Sequence, residues 1–235
     1  MASIKLVIFD LDGTLLDTIE DLGDSVNQVL SSRGYPEHSY DQYCVFIGDG
    51  MEKLIKRSLP NECLNDPLLI EEVLNDYREA YTRNWNNKSR PYDGIMECLA
   101  DLKARNIMSS VLSNKPHHFT ELCIGELIGN EHFEFVLGQR EGVNKKPSPD
   151  AAIEICEKLN VAPEETIFIG DTNVDILTGV SAGMKTIGVL WGFREEKELI
   201  EAGAHYIATS PSQLMGIIEL SLIHISEPTR LGMIS

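Results

Sequence analysis

The sequence lacks paired cysteines, an excess of positive charge and long apolar runs, and each absence excludes a class of protein. Its five cysteines are scattered without CxxC spacing, which argues against a disulfide framework or a zinc site and favours reduced thiols. With 20 basic against 37 acidic residues, the formal charge is −17, which disfavours nonspecific binding to nucleic acid or anionic membranes. No stretch approaches membrane-spanning length and no signal-peptide pattern is present. We therefore expect a cytoplasmic protein with no nucleic-acid or membrane partner.

The pattern of apolar segments predicts an α/β fold with a mostly parallel sheet. Strands are predicted at 5–9, 108–113, 134–138, 166–170 and 185–190, with a weaker one at 205–208. Helices are predicted at 94–105, 117–128, 149–159, 173–182, 195–202 and 211–219. Because strands and helices alternate from residue 91 onward, right-handed βαβ units and a three-layer Rossmann-like core are expected.

Residues 17–90 interrupt this alternation and predict an inserted all-helical cap domain. Helices are expected at 19–33, 41–46, 51–58 and 67–86, and the length exceeds that of an ordinary βα connection. The core domain would then comprise residues 1–16 and 91–220. Loop 47–50 contains two glycines (IGDG), which either let the backbone approach a ligand or form an ordinary turn at a helix start.

The last fifteen residues, SLIHISEPTRLGMIS, do not continue the pattern of the preceding helix. They resemble a translated adapter or vector sequence, and the alternative is a mobile native C-terminus. Residues 221–235 are therefore interpreted as a non-native or disordered tail and carry no functional argument.

The motif DLDGT at residues 10–14 directly follows the first predicted strand. In a parallel sheet, the loops after the carboxyl ends of strands bind ligands. Asp10 and Asp12 would repel each other there, so the simplest compensation is a bound cation. The alternative is an acidic turn that caps a helix, with Gly13 supplying an unusual backbone angle.

Three further segments place compatible chemistry at or near predicted strand ends. Ser113 ends the second strand and offers a hydroxyl that suits a phosphate oxygen. Lys146 lies in KKPSP, and Asp171 and Asp175 lie in GDTNVD after the fourth strand. Each motif alone has a plain structural explanation, but their joint occurrence in one βαβ chain predicts a phosphate and metal site.

In order and spacing, DLDGT, LSN, KP and GDTNVD resemble the four motifs of the haloacid dehalogenase-like hydrolase superfamily, over residues from about 4 to 215. The segments IGDGMEKLI, RPYDGI, SNKPHHFT and GVLWGFREEKELIEAGAHYI are similar to those of phosphoglycolate phosphatases. This resemblance implies a Rossmann-like core, a helical cap after the first motif, and hydrolysis of a small phosphomonoester, with 2-phosphoglycolate favoured.

The resemblance also implies a role for each motif residue. Asp10 would attack phosphorus and form an aspartyl-phosphate, and Asp12 would act as general acid and then general base. Ser113 and Lys146 would bind phosphoryl oxygens, with Lys145 as the alternative lysine. The implied cofactor is Mg²⁺, and its implied ligands are the Asp10 side chain, the Asp12 main-chain carbonyl and Asp171. Asp175 would support this metal site from behind.

Several alternatives remain beside the phosphomonoesterase. Pyrophosphatases and sugar-phosphate phosphatases of the same superfamily share most of these segments. Haloacid dehalogenases replace the second aspartate, which is Asp12 here, and β-phosphoglucomutases carry a cap histidine where Leu22 stands. In a different class, a phospho-accepting receiver domain combines acidic residues, a hydroxyl and a lysine, but it lacks a helical insert. A phosphate-binding module without catalysis would not need both Asp10 and Asp12.

Overall fold

The structure is a computed structural model and describes residues 3–223. The strands are β1 (Leu6–Phe9), β2 (Leu16–Asp17), β3 (Arg90–Pro91), β4 (Met108–Pro116), β5 (Phe135–Gln139), β6 (Thr166–Gly170), β7 (Lys185–Val189) and β8 (Tyr206–Ala208). The helices are α1 (Ile19–Ser32), α2 (Tyr40–Phe46), α3 (Met51–Ser58), α4 (Pro67–Asn84), α5 (Ile95–Ala104), α6 (His117–Leu127), α7 (Asp150–Leu159), α8 (Asn173–Ser181), α9 (Glu196–Glu201) and α10 (Leu214–Ile223).

Six strands form one parallel sheet in the order β5-β4-β1-β6-β7-β8. The chain builds one half outward from β1 through β4 and β5, then returns to the other side of β1 with β6. The connections on the two sides of β1 therefore diverge, which creates a crevice at its carboxyl end. The predicted α/β class is confirmed.

Both faces of the sheet are covered, as an all-parallel sheet requires. Alternate residues of β1 enter different cores: Val7 and Phe9 belong to one apolar cluster, whereas Leu6 and Ile8 belong to another. All four side chains are fully buried. The apolar run of β1 thus fixes the strand, and the polar residues that follow emerge at the sheet edge.

The helical insert (residues 17–90) contains α1 to α4. Helix α1 packs along α4, and α3 packs on the same helix, with Tyr43, Tyr77 and Tyr81 fully buried. No strand was predicted inside this segment, yet β2 and β3 pair antiparallel at its two ends. Each has only two residues, too few to leave a periodic pattern in the sequence.

The other elements agree with the predicted ones to within a few residues, with two exceptions. Strand β4 continues three residues past its predicted end at 113. Helix α10 runs to Ile223, so the predicted boundary at 220 falls within a helix, and Ser221 is buried there. Residues 224–235, which hold the rest of the predicted tail, lie outside the described residues. Within 3–223, no helix combines the length and apolar character needed to cross a membrane.

Candidate active site

Three neighbouring strands of the sheet deliver polar side chains to one edge. Asp10 directly follows β1, Ser113 lies near the carboxyl end of β4, and Asp171 directly follows β6. Since β1 lies between β4 and β6, these residues come together at the crevice. All three are at least nine-tenths buried.

Asp10, Asp171 and Asp175 form an acidic cluster in which one carboxylate oxygen of each lies within 4.8 Å of the others. Thr14 Oγ1 donates to Asp171 Oδ1 at 3.0 Å, and the Phe193 amide donates to Asp171 Oδ2 at 2.8 Å. These bonds fix the orientation of the Asp171 carboxylate.

Asp175 is held by the start of its own helix. The amide and hydroxyl of Thr172 donate to Asp175 Oδ2 at 3.1 and 2.7 Å in a capping box. Its Oδ1 accepts from Lys146 Nζ at 2.6 Å. Both carboxylate oxygens are thus engaged by the protein, which suits a group that positions its neighbours.

Lys146 is the lysine of KKPSP that reaches the acidic cluster. Its buried ammonium lies 2.6 Å from Asp10 Oδ1 and 2.6 Å from Asp175 Oδ1. Lys145 instead donates to the main-chain carbonyl of Asp49 in the helical insert, at 2.8 Å. The structure therefore places Lys146 against the carboxylates and Lys145 at the boundary with the insert.

Burial and mutual repulsion oppose ionisation of the cluster. Burial, then the charge of Asp175, raise the pKa of Asp10 to about 7, although Lys146 acts in the opposite direction. Burial, then the charges of Asp175 and Asp10, raise the pKa of Asp171 well above its usual range. A group of carboxylates this costly to ionise is suited to a bound cation.

The donor set fits a divalent cation such as Mg²⁺. Asp10 Oδ1 is buried and contacts Lys146, but within the described residues it has no partner in hydrogen-bonding geometry. Four carboxylates (Asp10, Asp12, Asp171 and Asp175) face two ammonium groups (Lys115 and Lys146). The formal excess equals the charge of one divalent ion, and carboxylate oxygens are the ligands that Mg²⁺ prefers.

Asp12 points toward a different partner, Lys115, which the sequence analysis did not identify. Lys115 Nζ lies 2.8 and 3.1 Å from the two oxygens of the Asp12 carboxylate, and Thr18 Oγ1 donates to Asp12 Oδ1 at 2.8 Å. Burial has the largest single effect and lowers the pKa of Lys115, but the charge of Asp12, the nearby Cys123 and the hydrogen bond to Asp12 together raise it above its usual value. The sequence feature that could have identified Lys115 is its position near the end of β4, a strand with no other charged residue.

A small cavity separates this edge of the sheet from the helical insert. Its volume, as the space open to the centre of a water molecule, is about 40 Å³, enough for about three waters. The core residues that line it are Asp10, Asp12, Ser113, Asn114 and Lys115. The insert residues that line it are Leu22, Ile47, Gly48, Gly50, Met51, Leu54 and Tyr77.

Loop 47–50 begins helix α3 and also lines the cavity. Gly50, with φ 90°, precedes the first residue of α3 as its N-cap, and Gly48 has φ 120°. Both glycines also line the cavity. The turn that starts the helix is therefore also a wall of the site. The nearby Lys53 pairs with Asp49 and is not among the lining residues.

Core side chains bind the main chain of this loop and the residues before it. Arg194 donates to the carbonyls of Val45 and Ile47 at 3.1 and 2.8 Å. Asn114 donates to the Gly48 carbonyl at 3.1 Å, beside the Lys145 contact already described. The insert is thus held closed over the cavity by contacts from separate core segments.

Comparison with known proteins agrees with this geometry. The family model described as haloacid dehalogenase-like hydrolase matches residues 7–189. A phosphoglycolate phosphatase of Vibrio parahaemolyticus is 30% identical over 222 residues, covering 93% of this chain and 97% of that protein. One from Thiobacillus denitrificans is 32% identical over 200 residues, covering 84% and 88%.

Solved structures share the same fold. A candidate phosphoglycolate phosphatase of Lactobacillus delbrueckii superposes with a TM-score of 0.85 at 27% identity, covering 92% of this chain and 98% of that one. A haloacid dehalogenase-like family protein of Streptococcus pneumoniae gives 0.82 at 23% identity, with 92% and 99% covered. From the matched family model, the relatives and the shared fold, the chain belongs to the haloacid dehalogenase-like hydrolase family.

Proposed function

We propose that this protein is a Mg²⁺-dependent phosphatase that hydrolyses a small phosphomonoester, with 2-phosphoglycolate as the favoured substrate. The phosphoric monoester hydrolase class follows from the family and its relatives. The observation that carries the proposal is the buried Asp10 carboxylate, which shares one sheet edge with Asp171, Lys146 and Ser113. The names of the relatives and the small volume of the cavity support 2-phosphoglycolate as the substrate.

The reaction needs a nucleophile at the phosphoryl group, and the burial of Asp10 at the end of β1 supports this carboxylate in that role. An Asp10 oxygen attacks phosphorus, and the bond between phosphorus and the ester oxygen breaks. Asp12 gives its proton to the departing alkoxide, which leaves as an alcohol. The product of this step is a phosphorylated Asp10.

The second step returns the enzyme to its starting state. Asp12, now ionised, takes a proton from water as the water oxygen attacks phosphorus, and the bond from phosphorus to Asp10 breaks. Lys115 and Thr18 hold the Asp12 carboxylate in one orientation through both steps. Closure of the insert excludes other water from the site.

Binding of the phosphoryl group falls to Ser113, Lys146 and the divalent cation. The side chains of Asp10 and Asp171, with the main-chain carbonyl of Asp12, would hold Mg²⁺, and Asp175 would position Lys146. When bound, Mg²⁺ offsets the charge of the carboxylates and that of the phosphoryl oxygens. Lys146 contributes a second positive charge at Asp10, which lets an anionic ester approach an anionic nucleophile.

A phosphate-release assay over a panel of small phosphate esters, with and without Mg²⁺, tests the proposal. We expect Mg²⁺-dependent turnover that Asp10→Asn abolishes, by at least about a thousandfold, because the amide is not a nucleophile. Asp101→Asn on the exposed face of α5 is the matched control and should retain the activity. Full turnover by Asp10→Asn would overturn the proposal, and so would bound phosphate that is never released.

A further inference from the structure

A cation lies in the cavity wall beside the carboxylate of Asp12. Among the residues that line the cavity in the described part of the chain, Lys115 alone is basic. The walls supplied by the helical insert carry no charged side chain and include Leu22, Met51 and Leu54. A substrate whose phosphoryl group meets Asp10 therefore finds Lys115 as the basic side chain in the described wall, beside the neutral polar groups of Ser113, Asn114 and Tyr77.

We propose that Lys115 binds the carboxylate of the substrate, and so selects a short phosphorylated hydroxy acid over neutral phosphate esters. This inference rests on the proposed phosphatase function and adds the group that recognises the leaving-group end. Lys146 serves the opposite end, since its ammonium contacts Asp10 and Asp175. Lys115 thus binds the carboxylate of one small substrate, and Lys146 lies at its phosphoryl group.

Lys115 has donor capacity that the protein does not use. An ammonium has three N–H donors, and the hydrogen bonds of Lys115 Nζ go to a single carboxylate, that of Asp12. Its remaining polar contact is the face of the Tyr81 ring, 4.8 Å away. The side chain is only 3% exposed, so the unused donor is available to a ligand in the cavity rather than to bulk water.

The positive charge of Lys115 would offset the negative charge of a substrate carboxylate in the cavity. A substrate carboxylate would approach the carboxylates of Asp10 and Asp12, which repel it. Without a cation there, the cost of removing the substrate carboxylate from water would not be offset by an opposite charge, because the insert residues that line the cavity are uncharged. Lys115 can contact Asp12 and a second carboxylate at once, which orients the general acid and the substrate together.

Size limits the substrate that can reach Lys115 with the insert closed. About 40 Å³ is open, which accepts a tail of a few atoms but not a sugar ring. A two-carbon acid esterified with phosphate spans two anionic groups over a short distance. Pyrophosphate is also short and doubly anionic, so the test must separate a carboxylate from a second phosphoryl group.

The test compares 2-phosphoglycolate with ethyl phosphate, its analogue without the carboxylate, and with pyrophosphate. In the unmodified enzyme we expect kcat/KM to be highest for 2-phosphoglycolate. Lys115→Met should reduce the ratio of 2-phosphoglycolate to ethyl phosphate by about 10- to 100-fold, the usual effect of one charged hydrogen bond, largely through KM. Lys115→Arg should restore much of the ratio, and Lys158→Met, at an exposed ion pair, should leave it unchanged.

Binding provides a readout that is independent of turnover. Calorimetric titration of 2-phosphoglycolate into Asp10→Asn, with and without Lys115→Met, should show weaker binding by a similar factor in the double variant. Equal losses for both esters would overturn the proposal and assign Lys115 to positioning Asp12 alone. An unmodified enzyme that prefers ethyl phosphate or pyrophosphate would also overturn it, without affecting the phosphatase function, which fails only if no ester is hydrolysed through Asp10.

Discussion

At the residue scale, two glycines show how closely the backbone packs around the carboxylates of the acidic cluster. A Cβ added to Gly13 would overlap Asp171 Oδ2, and a Cβ added to Gly170 would overlap the side chain of Asp175. Gly13 also has φ 87°, in the left-handed region that other residues adopt at a cost. The DLDGT turn therefore needs glycine both for its conformation and for the space that Asp171 occupies.

Gly13→Ala should destabilise the protein and weaken Mg²⁺ binding together. Because the methyl group would displace the Asp171 carboxylate, we expect a loss of about 3 kcal/mol or more in the free energy of unfolding. Urea unfolding and Mg²⁺ titration by calorimetry measure the two effects.

Gly34→Ala is the matched control for that prediction. Gly34 has φ 74° but open space around its Cβ position, so only the backbone strain of about 1–2 kcal/mol is added. Its Mg²⁺ affinity should be unchanged. Equal losses of Mg²⁺ affinity in both variants would show that the contact with Asp171 is unimportant.

Not every residue of the candidate site could be predicted from the sequence. Asp10, Asp171 and Lys146 could be predicted because each follows a recognisable apolar run or sits in a motif. Lys115 could not, because its importance depends on Asp12, one hundred and three positions away, and on the ring of Tyr81 in the insert. Such a partner is defined by packing between two parts of the chain rather than by local pattern.

At the scale of elements, the contacts that hold the insert closed come from separate core segments. Arg194 lies after β7, Asn114 in β4 and Lys145 before α7. Their acceptors are main-chain carbonyls between Val45 and Asp49. Because main-chain carbonyls accept these bonds, closure depends on the path of the loop more than on its side chains.

Arg194→Ala should weaken closure without unfolding the protein. Two hydrogen bonds to the loop are lost, at about 1 kcal/mol each, so kcat/KM should fall by up to about thirtyfold. Hydrogen exchange of the amides around loop 47–50 should become faster. Arg33→Ala, whose ion pairs with Glu72 and Asp76 lie within the insert, should not accelerate that loop, and equal acceleration in both variants would contradict the role of Arg194.

The elements themselves were mostly predictable from periodicity. The strands of the sheet and the helices α1 to α10 were found within a few residues, since buried faces impose regular spacing. The paired strands β2 and β3 were not, because two residues leave no periodic signal. The order of the strands in the sheet brings the polar loops together. In the sequence, only the alternation of strands and helices indicated that these loops would meet.

At the scale of the whole molecule, the acidic cluster makes the free energy of unfolding depend on pH and on metal binding. The pKa of Asp10 rises from 3.8 in the unfolded chain to about 7 in the metal-free fold, and that of Asp171 rises in the same sense. Between these pH values the folded state binds more protons than the unfolded one. The contribution of these two carboxyl groups to stability is therefore greatest at low pH and is lost as the pH rises through about 7.

We expect the metal-free protein to lose on the order of 3–4 kcal/mol of unfolding free energy from Asp10 alone as pH rises from 4 to 8. Mg²⁺ should restore stability at pH 8 more than at pH 5, because it binds the ionised carboxylates. Urea unfolding in EDTA and in excess Mg²⁺ measures both. A stability difference that does not change with pH would contradict this account of the cluster.

The central claim is that the chain assembles one phosphoryl-transfer site in which Asp10 is the nucleophile. The most direct measurement is mass spectrometry of the enzyme quenched in acid during turnover of 2-phosphoglycolate with Mg²⁺, followed by mapping of the modified peptide. We predict a phosphate adduct on Asp10 that is absent without Mg²⁺ and absent in Asp10→Asn. An adduct on another residue, such as Asp12 or Ser113, would contradict the account.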